Sequence, residues 1–448
     1  MRINSRTLTW LLWASTLFLV MITPRTSSDG LVGGSFRYIL WTDFIFGIVV
    51  LIMVARCDLR IFQIRAWFKM SKIQVAFLLL FLFNYLSIFI SVLGSGDSMI
   101  TYVFSGWFWI QAALTFIVAG HMVCTEKRVI WTRRIFIAGY CIVAVIGLLE
   151  LARVPVVVDF LDSHYGTETH VGAAQYLATI GQFRLTSTFD RNPHGLALCT
   201  MMMIPWMAVF LAKGKQRLRS KLVAIILICV GLVLLIGTTS ALGIAATAVA
   251  IMSVVLSNRK NRCAKTLVLM GLLMVGGYVV QAHLSGNALE KFVGLYRMFS
   301  AYEQGPSSYI SRLDVWSRIL QLICESPSRF LFGIPYAEGG KAYYGQRLNA
   351  DSDYMFMLLY GGILGLGVFL FLYWRILTNV NSALKVLHDE NSERYILLVS
   401  ARGILLGMMV AGVAGGFMTG SGTAWRTSFT AYTLIGASLG GRLIRNKE

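Results

Sequence analysis

A mostly polar stretch between the apolar segments that end near Leu284 and begin near Tyr354 contains a candidate anion-binding helix. At about 100° per residue, Arg312 falls inside the apolar face of the helix predicted over residues 309–324. That face consists of Tyr309, Leu313, Trp316, Ile319, Leu320 and Ile323, and the opposite face of Asp314, Arg318, Gln321 and Glu325. A guanidinium among apolar side chains at a membrane edge is costly unless an anionic group receives it. The spacing therefore predicts that Arg312 binds an anion.

A second anion site is predicted where residues 184–192 lead into an apolar helix. Arg184 precedes a run of hydroxyl side chains, and Arg191 follows an aspartate. Asn192 suits the N-cap and Pro193 the first turn, so free backbone N–H groups of that turn would lie beside the arginines. For Arg191 alone, an arginine that extends its head group to lipid phosphates explains the position better. For Arg184 the two interpretations are equally balanced on the local sequence.

Two carboxylates precede the apolar helix that follows the long polar stretch. Asp351 and Asp353 enclose Ser352, and Tyr354 comes next. One of these three polar residues is expected to cap the helix, because serines and acids are ordinary partners of a helix N-terminus. The pair could also supply a general base close to the arginines. The sequence leaves open which aspartate would have that role.

A short polar turn from Gly237 to Gly243 divides what would otherwise be one 36-residue apolar run. In the simpler interpretation, this turn connects the two helices of a hairpin. The alternative is that its small hydroxyls, Ser240 among them, line a cavity beneath the long polar stretch. The sequence favours the hairpin connection and does not exclude the cavity.

The composition indicates that nearly all other elements cross a membrane. The chain is 56% hydrophobic and 14% charged, with a mean hydropathy of +0.68, which excludes an ordinary soluble domain. A bilayer core about 30 Å thick needs roughly twenty apolar residues per helix, which predicts about twelve spans. They lie near 8–22, 38–55, 74–94, 99–123, 135–152, 193–212, 222–237, 240–257, 266–284, 354–374, 396–417 and 427–441. The predicted fold class is an all-α integral membrane protein.

The charge distribution predicts the topology. The net charge is +19, and the loops that would share a side with the N-terminus hold 26 of the 40 Lys and Arg but 6 of the 21 acids. This positive-inside asymmetry predicts cytoplasmic termini and argues against a nucleic-acid partner. One polytopic domain, residues 1–448, would carry outer loops at 153–192 and 285–353, the second with the amphipathic helix near 307–325.

The sequence contains no motif for a zinc site or for a nucleotide-binding site. No Cys/His cluster has zinc-ligand spacing, and no Walker or dinucleotide glycine motif occurs. Of the seven cysteines, Cys324 alone lies in a long outer loop, so no disulfide framework is expected. We therefore expect neither a metal nor a nucleotide cofactor.

In their order along the chain, these motifs resemble the O-antigen ligase and Wzy-type polymerase superfamily. The pattern consists of Arg184-Leu-Thr-Ser-Thr-Phe with Asn192-Pro193, then Thr239-Ser240, Arg312 with Trp316, and Asp351-Ser352-x-Tyr354 before Gly362 and Gly365. It covers roughly residues 180–375. The large outer loop, two to three spans before the C-terminus, is also similar to that of the family. The resemblance implies a GT-C-like fold.

The same resemblance implies a membrane glycosyltransferase at the outer face of the bacterial cytoplasmic (inner) membrane. Its substrate would be a glycan on undecaprenyl pyrophosphate, so neither a nucleotide sugar nor a metal would be needed. Membrane lipids would surround the protein, and a chain-length co-polymerase is a candidate further partner. The implied site consists of Arg184, Arg312 and Arg191 on the pyrophosphate, Asp351 or Asp353 as base, and Ser240, Trp316 and Tyr354 in the cavity.

The chain departs from the ligase pattern at three places, which favours a polymerase. Ligases of the family usually carry His-Asn where this chain has Asp351-Ser352, and Pro-Asn where it has Pro193-His194. The usual Ser-Arg-Gly turn lacks its arginine after Ser240. His194 fits helix-start packing better than catalysis. The leading hypothesis is a polymerase of surface-polysaccharide repeat units, such as O-antigen, capsule or exopolysaccharide.

Three alternatives remain open from the sequence. A ligase would move finished glycan to a lipid A core or another acceptor. A transporter or flippase predicts charged or broken helices in corresponding halves of the chain, and the evident intramembrane charges, Asp43 and Arg402, do not repeat in that way. The last alternative is a structural partner in an export assembly.

Overall fold

In the computed structural model, helices occupy eleven of the twelve predicted membrane segments. The twelfth, 266–284, lies outside the described residues. The structure describes residues 5–23, 41–56, 71–95, 99–165, 185–189, 192–212, 218–238, 240–257, 308–334, 342–343, 346–347, 352–387, 392–413, 415 and 425–440.

The described residues form helices and one small antiparallel ladder. The helices before the long polar stretch are α1 (Ser5–Ile22), α2 (Trp41–Ala55), α3 (Lys72–Ser95), α4 (Met99–Met122), α5 (Glu126–Leu151), α6 (Pro155–Tyr165), α7 (Pro193–Ala212), α8 (Leu218–Gly237) and α9 (Ala241–Ser257). The later elements are α10 (Ser308–Cys324), α11 (Pro327–Phe332), β1 (Ala342–Tyr343), β2 (Gln346–Arg347), α12 (Asp353–Val386), α13 (Glu393–Ala411) and α14 (Trp425–Ser438). The all-α prediction is confirmed. The two-residue strands were not predicted, because so short a ladder leaves no periodic signal in a sequence.

Six of these helices are long and apolar enough to cross a membrane: α1, α5, α7, α8, α12 and α13. Shorter apolar helical stretches occur in α2, α3, α4 and α9. The chain therefore has the helices of a multi-pass membrane protein.

Helices α7 and α13 occupy the centre of the bundle. In the most apolar 18-residue stretch of each helix, 83% of the residues of α7 and 67% of those of α13 are buried inside the protein. The corresponding share for α8 is 33%. Helix α7 contacts α8, α9 and α13, and its consecutive residues Met201, Met202 and Met203 are all fully buried. The exposed leucines and isoleucines of α8 suit contact with lipid.

Contacts between helix ends occur at two opposite ends of the bundle, as expected when successive helices run in opposite directions. At one end, here called the Glu393 end, Arg133 at the start of α5 pairs with Glu393 at the start of α13. Arg394 also donates to the carbonyls of Gly440, beyond α14, and of Val123, beyond α4. At the other, the Thr188 end, the Thr188 hydroxyl donates to the carbonyl of Met21 in the last turn of α1, 2.7 Å away.

Helix α12 is interrupted at Gly362, where the α10–α11 pair docks. Gly362 has a φ of 60° and Gly333, directly after α11, a φ of 77°. The Ile334 N–H donates to the Leu359 carbonyl at 2.7 Å, so α12 shares a backbone hydrogen bond with the segment after α11. The two glycines allow this approach, because a Cβ on Gly362 would collide with the backbone of Leu331.

Substituting Gly362 by alanine is expected to destabilise this docking. Alanine strains the positive-φ backbone, which costs about 1–3 kcal/mol, and its Cβ meets the α11 backbone. We expect a lower melting temperature and faster proteolysis between α10 and α12. Gly367→Ala in the same helix is the control, because nothing lies within 4 Å of a Cβ there. Equal melting temperatures and cleavage rates for the two variants would contradict the backbone-contact argument.

Candidate functional site

The structure describes five of the eight predicted site residues. Arg312 and Trp316 lie on α10, Ser240 precedes α9, and Asp353 and Tyr354 begin α12. The other three, Arg184, Arg191 and Asp351, lie outside the described residues. Their immediate neighbours are described and locate the surroundings of the site.

Helix α10 coincides with the predicted amphipathic helix, but its packed face is rotated from the predicted one. Ile319, Leu322 and Ile323 are buried against Leu358 and Leu359 of α12. Leu313 and Leu320, assigned to the apolar face, are 43% and 45% exposed. The apolar side chains of α10 therefore cover a wide arc of the helix surface. The part with Ile319, Leu322 and Ile323 packs on α12, and the part with Leu313 and Leu320 suits a lipid environment.

Arg312 lies on the part of α10 that packs against the protein. At about 100° per residue it is within roughly 20° of both Ile319 and Ile323. Its side chain is half-buried. One turn later, the Trp316 indole nitrogen is buried and has no hydrogen-bond partner among the described residues. A guanidinium and a buried indole N–H therefore share one side of α10, and both are donors suited to an anion or a sugar oxygen.

The segment directly after Arg184 is held by a buried carboxylate. Glu150, in the last turn of α5, is fully buried. It accepts hydrogen bonds from the Thr186 N–H at 3.0 Å, the Thr186 hydroxyl at 2.9 Å and the Ser187 N–H at 2.7 Å. Successive backbone N–H groups form a concave anion receptor, and the φ of 47° at Ser187 belongs to this turn. Glu150 thus fixes the chain that emerges from Arg184.

A buried arginine holds the other end of the same segment. Arg426, at the start of α14, is 1% exposed and donates through Nη1 to the Thr188 carbonyl at 2.6 Å. Its guanidinium also lies 5.7 Å from the centre of the Tyr165 ring, within cation–π distance. Sequence reasoning missed both Glu150 and Arg426. The available signal was an ionisable residue at the edge of an apolar span, which in a membrane protein suggests a functional or structural partner.

Ser240 acts in the connection between α8 and α9 and contacts α7. Its hydroxyl accepts from the Gly243 N–H at 3.0 Å, so it caps α9, and it lies 2.8 Å from His194 Nδ1. Asn192 Oδ1 accepts from the His194 N–H at 3.0 Å, which confirms the predicted N-cap before Pro193. These bonds support the interpretations of a hairpin connection at Ser240 and of helix-start packing at His194.

Asp353 begins α12 against the C-terminal end of α13. Ser352 is the cap, since its hydroxyl accepts from the Met355 N–H at 3.4 Å and donates to the Gly412 carbonyl at 3.1 Å. Asp353 is 1% exposed, and its N–H donates to the same carbonyl at 2.9 Å. The Tyr354 hydroxyl donates to the Met409 carbonyl at 2.8 Å. The prediction that one of these residues caps the helix is thus confirmed with Ser352.

Contacts between elements bring several predicted parts to the Thr188 end. The Leu185 N–H donates to the Gly237 carbonyl at 3.0 Å, which joins the Glu150-bound segment to the Ser240 turn. Helix α10 is joined to the start of α12 through Leu358 and Leu359. Two pairs of predicted parts are therefore in contact: the Glu150-bound segment with the Ser240 turn, and α10 with the start of α12.

Charges elsewhere in the spans have local structural partners. Arg402 in α13 donates to the Ser253 carbonyl at 2.7 Å and to the Ser253 hydroxyl at 3.2 Å. The side chain of Asp43 lies outside the described part of the chain. Within that described part, no group of three or more His, Cys, Asp or Glu side chains is arranged to hold a metal ion.

A scan of protein-family models finds no match to this chain, and a search of curated proteins finds no similar sequence.

Proposed function

We propose that the protein is a membrane glycosyltransferase that polymerises undecaprenyl-pyrophosphate-linked repeat units of a surface polysaccharide. It would belong to the O-antigen ligase and Wzy-type polymerase superfamily, with a GT-C-like fold. Arg312 and Arg184 would bind the pyrophosphate, with Arg191 beside them. Asp353 or Asp351 would be the base.

The proposed reaction joins the growing chain to the next lipid-linked unit. A hydroxyl oxygen of the acceptor sugar attacks the anomeric carbon of the donor glycan, and its proton passes to the aspartate. The bond from that carbon to the pyrophosphate oxygen breaks, so undecaprenyl pyrophosphate leaves with the electron pair. Guanidinium groups stabilise the charge that develops on this leaving group.

The observation that carries the proposal is the pairing of Arg312 and Trp316 on the packed side of α10. The buried indole N–H of Trp316, which has no hydrogen-bond partner among the described residues, is costly in an apolar contact unless a ligand receives it. The half-buried guanidinium of Arg312 lies one turn earlier on the same side of the helix. The same helix packs on α12, which begins at Asp353, so donors for an anion and a buried carboxylate belong to adjoining elements. A pyrophosphate with a sugar attached needs both kinds of group.

The finer topology is part of the same proposal. Twelve spans, with 266–284 as the ninth, give cytoplasmic termini in the bacterial inner membrane. The Glu393 end would then be cytoplasmic, in accord with the basic loops, and the Thr188 end would face outward. A lipid-linked substrate delivered to the outer leaflet would reach the site from the side of α10 and α11. Exposed Phe330 and Phe332 of α11 suit that lipid-facing position.

Transport receives less support from the described contacts. A transporter needs ionisable or broken elements that change partners between two states. Arg402 is bound to the last turns of α9, and Glu150 accepts three hydrogen bonds, so both have structural tasks. These groups favour a fixed scaffold around a site.

Purified full-length protein, incubated with native lipid-linked repeat units, is expected to form a ladder of longer glycans without added nucleotide or metal. The products can be separated by gel electrophoresis and sized by mass spectrometry. Single transfers to a lipid A core without a ladder would identify a ligase. No transfer from a substrate that a known polymerase accepts would overturn the proposed activity.

A further inference from the structure

A basic cavity lies at the Glu393 end, at the opposite end of the bundle from the proposed catalytic site. It has a volume of about 300 Å³ and lies between α1, the end of α2 and the turn that joins α4 to α5. Its polar lining consists of Arg6, Arg56, Arg128, His121, Thr9 and Thr125. The described residues that line it include three arginines and no carboxylate.

Contacts with neighbouring helices hold two of these arginines in place. Arg128 donates through Nη1 to the Met122 carbonyl, the last residue of α4, at 2.9 Å. Arg56 Nη1 lies 3.5 Å from the Thr9 hydroxyl of α1. Contacts among α1, the end of α2, α4 and α5 thus position Arg56 and Arg128 around one space, which differs from arginines that extend independently into solvent.

The acid two residues before Arg128 is directed toward another helix. Glu126, in the first turn of α5, is exposed and accepts from the Arg394 N–H at 3.2 Å, so its carboxylate serves α13. Met53 and Met122 supply an apolar part of the cavity wall. A cavity with three guanidinium groups, two hydroxyls and an apolar side matches a phosphate ester that carries an apolar chain.

We propose that this cavity is a binding site for a phosphate group, with an anionic phospholipid of the surrounding membrane as its source. The phosphodiester would contact Arg56 and Arg128, and the glycerol and acyl carbons would lie toward Met53. Guanidinium groups bind phosphate oxygens through paired N–H donors, and basic pockets between membrane helices suit such head groups. The bound lipid would join α1, α2 and the α4–α5 turn.

The test uses full-length protein in neutral detergent and native mass spectrometry. Phosphatidylglycerol, phosphatidylcholine and inorganic phosphate are the three probes. We expect the wild type to retain phosphatidylglycerol at least about tenfold more tightly than phosphatidylcholine. Arg56→Gln combined with Arg128→Gln is expected to weaken phosphatidylglycerol binding at least about tenfold, because two charge-assisted contacts are lost.

Arg134→Gln is the matched control. Arg134 is an exposed arginine of α5 near the same end, it lies over the Trp131 ring at 5.1 Å, and it does not line the cavity. This control should bind phosphatidylglycerol as the wild type does. Inorganic phosphate is expected to displace phosphatidylglycerol from the wild type, because both compete for Arg56 and Arg128. Binding of phosphate without retention of phosphatidylglycerol would identify free phosphate, and not a lipid, as the source.

Two results would overturn the proposal. One is equal retention of phosphatidylglycerol and phosphatidylcholine by the wild type, a comparison that needs no variant. The other is equal phosphatidylglycerol binding by the double variant and the wild type.

Discussion

Arg312→Ala is expected to abolish glycan elongation, lowering ladder formation by at least about 100-fold. Removal of a donor that binds the developing charge of a transition state typically costs 10²–10³ in rate, and Arg312 is the described arginine on the packed side of α10. Initial rates can be measured with purified variants and lipid-linked repeat units, at equal amounts of folded protein. The effect should appear in the rate of transfer at saturating substrate.

Arg318→Ala is the matched control for this experiment. Arg318 lies on the same helix, on the polar side, where its Nη2 is 3.0 Å from Asp314 Oδ2 in a partly exposed ion pair. Such surface pairs contribute about 0–1 kcal/mol, so we expect elongation to persist. Arg312→Lys should also be strongly impaired, because an ammonium lacks the bidentate fork of a guanidinium. Near-normal elongation by Arg312→Ala would refute its assigned role.

Glu150→Ala is expected to cause the largest loss of stability, about 3 kcal/mol or more. The variant leaves the Thr186 N–H, the Thr186 hydroxyl and the Ser187 N–H without their acceptor in a buried environment. Each unsatisfied buried donor costs about 1–3 kcal/mol. We expect a lower melting temperature in detergent, measured by fluorescence-detected size exclusion after heating.

Two further variants separate this effect from a general loss of charge. Asp159→Ala removes an exposed acid from the neighbouring helix α6 and should leave the melting temperature close to that of the wild type. Glu150→Gln retains one acceptor oxygen and should be intermediate, because its amide N–H₂ would face donors. A Glu150→Ala protein as stable as Asp159→Ala would show that the three hydrogen bonds contribute little.

Local features of the site were predictable because their partners are close in sequence. Asn192 caps α7 through an N–H two residues away, and Ser352 caps α12 through one three residues away. The placement of Arg312 within the apolar arc of α10 depends on helical periodicity alone, and the helix extends over Ser308–Cys324 as expected. The sequence did not indicate which half of that arc would pack, because both halves are apolar and α12 selects one.

The anchoring of the site depended on contacts between distant parts of the chain. Glu150 binds a segment 36 residues away, and Arg426 binds Thr188 from 238 residues away. A single sequence carries no periodicity that pairs such residues, so each looked like a charge at the edge of a span. The basic cavity has the same origin, since α1, α2 and the α4–α5 turn each supply part of it.

The amino-acid sequence by itself determined the positions of the described apolar helices, the caps at Asn192 and Ser352, and the unequal distribution of basic residues among the loops. Hydrophobic length, helical periodicity and charge asymmetry are local properties, and the bilayer imposes them on each segment separately. The tertiary structure decided which groups bind the buried charges of Glu150 and Arg426, where α11 packs against the break of α12 at Gly362, and which face of α10 is covered. These contacts follow from side-chain packing between helices. They also follow from the requirement that buried polar groups form hydrogen bonds, whose partners come together only when the helices assemble.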